Sequence, residues 1–391
     1  MKLKVLVIGA GMYVCGRGTD GFGTVLPSLY EAYRAGLIEK VCVAATSASS
    51  VKAVELKNKE LSKRMGFQLP LEGFAKPGLG ASSYKEALKT FRPDCAVVAV
   101  PDHLHATVVN SVAKSGAHVL VVKPLALTVK EGKTMAASAR ANCIYGAVEF
   151  HKRFDEANLK FREVITSGKI GDVLYANVAY SQRKMIPEKM FKSWASKTNI
   201  FQYLAVHYVD LIYFATGAKP VRVMATGQKN WLMRKGINTY DAIQAVIEWQ
   251  DCKSQKTFTS MIATNWIDPN GSSAMSDQRI SVVGTRGRVD SDQKNRGVQI
   301  VTDDKGIEDF NPYFSQLYPD ATGQTVFRGY GERSFHQFFM DVSNIMTGVQ
   351  KPEDLKDLRP TFHQALVSTA VVEAVNLSLK KNNNWVSIKG I

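Results

Sequence analysis

The sequence predicts an α/β protein of two domains, in which a doubly wound parallel sheet is followed by an α+β domain with a large, mostly antiparallel open sheet. Two observations support this prediction. Up to about residue 123, short apolar runs alternate with helical patterns, whereas the later apolar runs are longer and follow one another directly. We place the boundary so that the first domain covers residues 1–125 and the second covers residues 126–391.

The parallel sheet is predicted from short buried runs that carry no polar alternation. Strands are expected at residues 5–8, 41–46, 95–100 and 118–122, and helices at residues 26–35, 51–65 and 105–115. Continuous apolar runs separated by helices are typical of strands that are covered on both faces. The sequence therefore predicts crossover connections and a parallel arrangement.

The second sheet is predicted from longer runs separated by turn signals. Strands are expected at residues 172–181, 221–229, 242–249 and 257–265, and helices at residues 154–167, 200–214, 334–346 and 361–380. We expect the helices to cover one face of this sheet. The other face would then be an exposed apolar patch, so we predict a homodimer or homotetramer that associates through it.

Composition narrows the class of protein. The chain has 391 residues, of which 45% are hydrophobic and 22% are charged, as in ordinary globular proteins. A strand begins close to Met1 and no apolar run has membrane-spanning length, which predicts a soluble cytoplasmic protein without a membrane partner. The five cysteines have no paired spacing, so we expect reduced thiols and no metal site. The net charge of +15 lacks a nucleic-acid motif to focus it, so no nucleic-acid partner is expected.

A glycine-rich loop follows the first predicted strand. Gly9 and Gly11 match the first two glycines of a dinucleotide-binding fingerprint, and Met12 and Tyr13 continue the loop beside them. The third glycine is missing at its usual position, and an insertion precedes the helix. Arg17 in this insertion either reaches a phosphate as a bidentate donor or lies exposed in the loop.

The second predicted strand ends in hydroxyl side chains. An enzyme that uses NAD commonly has an acidic residue here, whereas this chain has Thr46, Ser47 and Ser49, followed by Lys52. These residues favour NADP(H) slightly over NAD(H). A serine-rich turn before a helix is compatible with either cofactor.

A lysine ends the strand predicted at residues 118–122, where ligands of open α/β sheets bind. Together, Pro101-Asp-His-Leu-His105 and Val122-Lys123-Pro124 resemble the Gfo/Idh/MocA family of glucose-fructose oxidoreductase, inositol dehydrogenase and rhizopine-catabolism proteins. In that family a Pro-x-x-x-His turn precedes a Glu-Lys-Pro triplet. The resemblance continues through residues 150–155, 284–287 and 329–331 and covers essentially the whole chain. Val122 replaces the glutamate of the triplet.

The resemblance implies a Rossmann domain followed by a substrate-binding domain. It implies an NAD(P)-dependent oxidoreductase that transfers a hydride between nicotinamide and a secondary alcohol or ketone of a sugar, a sugar derivative or a cyclitol. Pro101, His105 and Lys123 are then expected to bind the cofactor. Lys123 would also orient the substrate oxygen and stabilise its negative charge.

A second group of residues is predicted on the helix at residues 200–214. Tyr203, His207 and Asp210 share one helical face and align with the family's Asp-x-Gly-x-His-x-x-Asp pattern. His207 matches the family's acid/base residue, and imidazole exchanges protons near neutral pH. Tyr203 replaces the first aspartate, so it is expected to bind substrate or to share the proton transfer.

Further substrate contacts are predicted in the segment before this helix. Arg183, Trp194 and Asn199 offer the donors and the apolar ring that a polyol pocket uses, although each also suits a surface or core position. Two other functions stay open. One is a glycosidase that uses NAD for transient oxidation and elimination. The other is a non-enzymatic sugar-sensing regulator, which the retention of Lys123 and His207 disfavours.

Overall fold

The computed structural model describes residues 1–304, 306–311 and 313–391. The chain divides into two compact units. The first unit comprises Met1–Ala126, Lys130–His151 and Phe314–Ala365, and the second comprises Leu127–Val129, Lys152–Tyr313 and Leu366–Ile391. The first unit is therefore built from three separate segments of the chain, the last of which lies far beyond residue 125.

The strands are, in chain order, β1 (Leu3–Ile8), β2 (Ile38–Ala44), β3 (Leu71–Phe74), β4 (Cys95–Val98), β5 (His118–Val122), β6 (Gly146–Glu149), β7 (Val173–Arg183), β8 (Lys219–Gln228), β9 (Ala242–Gln250), β10 (Thr257–Asp268), β11 (Ser276–Gly284), β12 (Arg288–Asp292), β13 (Val298–Thr302), β14 (Gly306–Phe310), β15 (Gln316–Pro319), β16 (Thr325–Arg328) and β17 (Val386–Ser387). The α-helices are α1 (Met12–Cys15), α2 (Val25–Arg34), α3 (Ala48–Met65), α4 (Ser83–Phe91), α5 (His105–Lys114), α6 (Val129–Ala141), α7 (Glu156–Thr166), α8 (Val206–Thr216), α9 (Trp231–Arg234), α10 (Tyr330–Met346) and α11 (Phe362–Lys380).

The first unit contains a six-stranded parallel sheet with the order β3-β2-β1-β4-β5-β6. The parallel doubly wound sheet predicted from the sequence is confirmed. The strand order reverses between β1 and β4, since β2 and β3 lie on one side of β1 and the later strands lie on the other. The carboxyl ends of β1 and β4 therefore border the crevice in which such sheets bind ligands.

The position of α10 differs from the expectation. We expected this helix to cover the second sheet, but it belongs to the first unit and contacts α2. Phe335, Phe338 and Phe339 of α10 are buried in one hydrophobic cluster with Leu26 and Leu29 of α2. An amphipathic pattern reveals that a helix has a buried face, but it does not reveal which sheet buries that face.

The second unit contains a seven-stranded sheet with the order β12-β11-β7-β10-β9-β8-β17. Neighbouring strands are antiparallel except β7 and β10, which pair in parallel, so the prediction of a mostly antiparallel sheet is confirmed. On one face, Ser378 of α11 accepts a hydrogen bond from the Ala225 amide of β8. On the opposite face, Tyr175 and Met261 are 39% and 48% exposed.

Among the described residues, no helix combines the length and the apolar character that crossing a membrane requires.

Candidate functional site

The crevice in the first unit begins at Gly9, directly after β1. Gly9 has a φ of +123°, and a Cβ atom added there would lie 2.2 Å from the carbonyl oxygen of Ala99, directly after β4. Only glycine avoids this contact. Gly11 has no atom within 4 Å of an added Cβ, so the space beside it is open. The glycine pattern therefore has a structural requirement at its first position and open space at its second.

The insertion after Gly11 is organised differently from the loop expected there. Met12 and Tyr13, both half-buried, begin the short helix α1, which ends at Gly16 in a left-handed conformation. After this helix the chain forms a loop that returns to it. The amide of Thr24 at the end of the loop donates to the carbonyl of Tyr13 at 2.8 Å. α2 begins immediately afterwards. The missing third glycine of the fingerprint is thus explained by an excursion inserted between α1 and α2.

Arg17 in this excursion reaches the turn that follows β2. Its Nη1 donates to the hydroxyl oxygen of Ser50 at 2.7 Å. Ser47 caps α3 by accepting from the Ser50 amide, and its hydroxyl lies 3.0 Å from that of Ser49. Thr46, directly before this turn, is exposed. The structure therefore brings together a guanidinium group and several hydroxyls that the sequence assigned to cofactor binding.

Lys123 stands at the carboxyl end of β5, half-buried. Burial lowers the pKa of its ammonium group to about 8, while the carboxylates of Asp102 and Glu149 act in the opposite direction. Neither carboxylate was predicted from the sequence to be a site residue. A signal for Glu149 does exist, because a charged residue that ends a buried strand marks the edge of the sheet where ligands bind.

His105 lies 19 positions before Pro124 and is buried. Its Nδ1 lies 2.7 Å from the Pro124 carbonyl oxygen and its Nε2 lies 2.9 Å from that of Val100. Both ring nitrogens therefore face backbone oxygens, and His105 links the turn after β4 to the turn after Lys123. Pro101, which directly follows Val100, is exposed. His105 thereby positions its neighbours, and its contact with the cofactor stays a prediction.

In the second unit, α8 is preceded by a π-helical turn at Phe201–Ala205. Such turns are rare and occur often at functional sites. Tyr203 lies within the turn and is half-buried, whereas His207 lies at the start of α8 and is 3% exposed. The sequence predicted one regular helix here. The wider turn changes the spacing between the two side chains from that of a regular α-helix.

The ring of Tyr203 is surrounded by other aromatic rings of the second unit. Its centroid lies 5.1 Å from that of Phe191, 5.9 Å from that of Trp194 and 5.8 Å from that of Trp266. Trp266 is fully buried and donates through Nε1 to the side-chain oxygen of Gln182. Phe191 was not predicted from the sequence, since it belongs to no motif. The cluster orients the tyrosine by ring contacts.

α8 is anchored by a buried ion pair one turn beyond His207. Arg153 Nε donates to Asp210 Oδ2 at 2.8 Å, and its Nη2 donates to Oδ1 at 2.6 Å. Asp210 is 2% exposed, and its burial raises the pKa of the carboxyl while Arg153 lowers it. This bidentate contact fixes the helix that carries His207.

The other predicted substrate residues have partners of their own. Arg183 donates through Nη2 to the carbonyl of Ser272. Asn199 donates to the side-chain oxygen of Asn376 at 2.8 Å and accepts from the Gln202 amide at 2.9 Å, so it holds the start of the π-helical turn. Trp194 is half-buried in the aromatic cluster. Two of these three residues contact Tyr203: Trp194 through its ring and Asn199 through its carbonyl oxygen, which accepts from the Tyr203 amide at 3.0 Å.

The first unit fits a nicotinamide dinucleotide. The absence of a side chain at Gly9 and the open space at Gly11 leave the backbone accessible at the strand-order reversal. Arg17 and the Ser47 turn stand at the end of the neighbouring β2. Lys123 stands on the other side of the reversal, at the end of β5. These residues would hold the pyrophosphate, the adenosine ribose and the nicotinamide end, respectively.

Comparison with known proteins identifies relatives of both parts of the chain. Residues 3–147 match the oxidoreductase family with an NAD-binding Rossmann fold, and residues 158–290 match the GFO/IDH/MocA C-terminal domain. An uncharacterized oxidoreductase of Streptococcus pneumoniae is 30% identical over 148 residues, which are 38% of this chain and 40% of that protein. Inositol 2-dehydrogenase of Rhizobium meliloti is 23% identical over 297 residues, which are 72% of this chain and 77% of that protein.

A solved structure shares the fold. Scyllo-inositol dehydrogenase from Lactobacillus casei, crystallised with NAD(H) and scyllo-inositol, matches with a TM-score of 0.70 at 16% identity and covers 99% of both chains. At this sequence identity the solved structure shows a shared fold only. The two family matches, at residues 3–147 and 158–290, cover parts of both domains. The chain belongs to the Gfo/Idh/MocA family of NAD-binding oxidoreductases.

Proposed function

We propose that the protein is an NAD(P)-dependent dehydrogenase or reductase acting on a secondary alcohol or ketone of a sugar, a sugar derivative or a cyclitol. The observation that carries this proposal is Lys123, a half-buried ammonium group at the carboxyl end of β5 with a pKa lowered to about 8. The inositol dehydrogenase relative supports the substrate class. The same relative gives no support to the glycosidase alternative.

The proposed chemistry gives separate roles to Lys123, His207 and Tyr203. A bound nicotinamide ring supplies the hydride acceptor or donor. Lys123 donates a hydrogen bond to the reacting oxygen and stabilises the negative charge that develops on it. His207 exchanges the proton of the hydroxyl group, and its burial at the start of α8 keeps bulk water from competing for that proton. Tyr203 hydrogen-bonds the substrate where relatives carry a carboxylate.

For the cofactor we propose a preference for NADP(H) over NAD(H). Arg17 and the hydroxyls of Ser47, Ser49 and Ser50 form the polar end of β2, and the turn lacks the acid that would bind an unphosphorylated ribose. A guanidinium group is the donor best suited to a 2′-phosphate.

The direct test is a screen of the purified protein against sugars, sugar acids and inositols with NAD and with NADP, following nicotinamide absorbance. We expect turnover with at least one of these polyols. Binding of a sugar without any turnover, together with full biological activity of a Lys123→Met variant, would favour the sugar-sensing alternative instead.

We also propose that the protein is a homodimer or homotetramer that associates through the open face of the second sheet. Tyr175 on β7 and Met261 on the neighbouring β10 are large apolar side chains that the second unit itself leaves exposed. Light scattering coupled to size-exclusion chromatography is expected to give a dimer or tetramer mass. A monomer mass at micromolar concentration would contradict this expectation.

A further inference from the structure

The strand next to Lys123 ends in a carboxylate. β6 pairs in parallel with β5, and the register places Glu149 opposite Val122. Val122 is the residue that replaces the glutamate of the family's Glu-Lys-Pro triplet. The carboxylate missing from the lysine's own strand is therefore present at the same level of the sheet, on the neighbouring strand.

Glu149 is 1% exposed and only partly satisfied by hydrogen bonds. Its Oε1 accepts from the hydroxyl of Ser334 at 3.1 Å and lies 2.8 Å from His151 Nδ1. Its Oε2 is buried and has no hydrogen-bond partner among the residues that the structure describes. A buried carboxylate with an unused oxygen is costly unless a cation offsets its charge. This arrangement points to a positive group close to Oε2.

Lys123 is the cation that shares this edge of the sheet. Burial lowers the pKa of its ammonium group to about 8, and Asp102 and then Glu149 raise it. The titratable groups of the neighbouring elements in the first unit are Asp102 and His103 on the turn after β4, His105 at the start of α5, Glu149 at the end of β6 and His151 beyond it. His105 faces two backbone oxygens and His151 faces Glu149. The two carboxylates are thus the groups that favour a charged Lys123.

We propose that Glu149 is a positioning residue for Lys123, supplying from β6 the carboxylate that Val122 removes from the triplet. It holds the lysine in its ammonium form and draws the side chain toward the end of β6. This inference rests on the proposed function, in which the ammonium group binds the reacting oxygen. With Glu149 present, the ammonium form persists to higher pH, and the enzyme stays active over a wider range.

The test measures the ionisation of Lys123 directly. Competitive acylation of the cofactor-free protein with acetic anhydride, quantified by mass spectrometry as pH rises, reports the midpoint at which this lysine loses its proton. In a Glu149→Gln variant we expect the midpoint to fall by about one pH unit, since an anion no longer favours the ammonium form. The alkaline limb of the turnover profile should fall with it. An unchanged midpoint overturns the proposal.

Matched variants separate charge from shape. Glu72→Gln makes the same substitution on β3, at the opposite edge of the same sheet, where the side chain is exposed, and should leave the midpoint unchanged. Ser334→Ala removes a hydrogen bond of Glu149 but keeps its charge, so it should not move the midpoint either. If Ser334→Ala moves it as far as Glu149→Gln does, the effect is structural and the proposal fails.

A double variant tests whether a carboxylate on β5 can replace the one on β6. Adding Val122→Glu to Glu149→Gln returns the carboxylate to the family's position and should restore the midpoint. If Glu149→Gln does not fold, Val122→Glu alone should raise the midpoint above that of the unmodified protein, and no rise would contradict the proposal. A shifted midpoint in a protein that lacks dehydrogenase activity overturns the proposed function alone. Normal turnover with an unshifted midpoint overturns the role of Glu149 alone.

Discussion

The crevice of the first unit and the α8 region of the second are built by different means. At the crevice the backbone conformation restricts the residue type, because Gly9 has a φ of +123° and any Cβ there would clash with the carbonyl of Ala99. Before α8, contacts between side chains shape the region, because Tyr203 is oriented by three aromatic rings. A backbone requirement permits one residue type, so it is visible in a sequence. Many combinations of residues can form a cluster of aromatic rings, so such a cluster cannot be recognised in a sequence.

The two regions also handle buried charge differently. In the second unit, Arg153 and Asp210 neutralise each other through two hydrogen bonds within a fixed geometry. In the first unit, Lys123 has a pKa lowered to about 8 because burial outweighs the nearby carboxylates. A matched ion pair holds a helix in place, whereas a buried ammonium group with a lowered pKa is typical of a functional site.

The largest effect is expected at Lys123. Replacing it by methionine keeps an unbranched side chain and removes the donor to the reacting oxygen, so turnover should fall by about 10³-fold. The cofactor should still bind, since the glycine loop and Arg17 are unchanged. Steady-state kinetics and cofactor titration by fluorescence measure the two properties. Lys130→Met, at an exposed position on α6, is the control and should retain normal turnover.

The pH profile sharpens the same prediction. The proposed mechanism uses the ammonium form of Lys123, and its pKa is lowered to about 8, so turnover should fall as pH rises through that value. The residual rate of Lys123→Met should lack this alkaline limb. A limb that persists in the variant would assign the titration to another group.

A pair of glycine variants tests whether the backbone conformation at the crevice requires glycine. Gly9→Ala places a Cβ 2.2 Å from the Ala99 oxygen at a positive φ, so it should lower the free energy of unfolding by about 3 kcal/mol. Gly11→Ala adds a methyl group to open space at a φ of −86°, so it should fold normally while weakening cofactor binding. Thermal unfolding and cofactor titration distinguish the two. Equal stability of both variants would remove the distinction drawn between these glycines.

The same contrast explains how much of the fold was predictable. β1, β2, β4 and β5 were predicted because each is an apolar run beside a helical pattern. β3 was not, because it has four residues that are largely half-buried, and β6 was not, because its four residues include glycine and glutamate. The return of α10 to the first unit depends on contacts between residues far apart in the chain. Periodicity contains no information about such contacts.

The candidate site divides in the same way. Gly9, Arg17 and Lys123 were singled out as candidates because they stand at strand ends or in a glycine-rich loop, where a functional role is expected. Glu149 was not predicted because β6 was not recognised as a strand that this residue ends, and its register with β5 is a property of the folded sheet. The π-helical turn before α8 was missed because a helical pattern does not distinguish it from a regular helix.

A smaller effect is expected at Arg17, where a side chain supplements the backbone of the first unit. Removing its guanidinium group in Arg17→Ala should weaken NADP(H) binding by about tenfold, because a charged hydrogen bond to the 2′-phosphate is lost. NAD(H) binding should change by less than about twofold, because NAD(H) lacks that phosphate. Isothermal titration with both cofactors measures this ratio. Lys59→Ala, at an exposed position on α3, controls for the loss of a positive charge. Equal weakening of both cofactors would argue against a phosphate contact.

The smallest effect is expected at Tyr203, which we propose binds the substrate through its hydroxyl. Tyr203→Phe keeps the ring contacts with Phe191, Trp194 and Trp266, so the unfolding temperature should not change. Turnover should fall by about fivefold, the cost of one uncharged hydrogen bond to the substrate. Tyr240→Phe, at another half-buried position in the second unit, should leave turnover unchanged. If Tyr203→Phe turns over its substrate at the normal rate, the hydroxyl has no part in the reaction. The rings around Tyr203 would then shape the pocket, and His207 alone would carry the chemistry of the second unit.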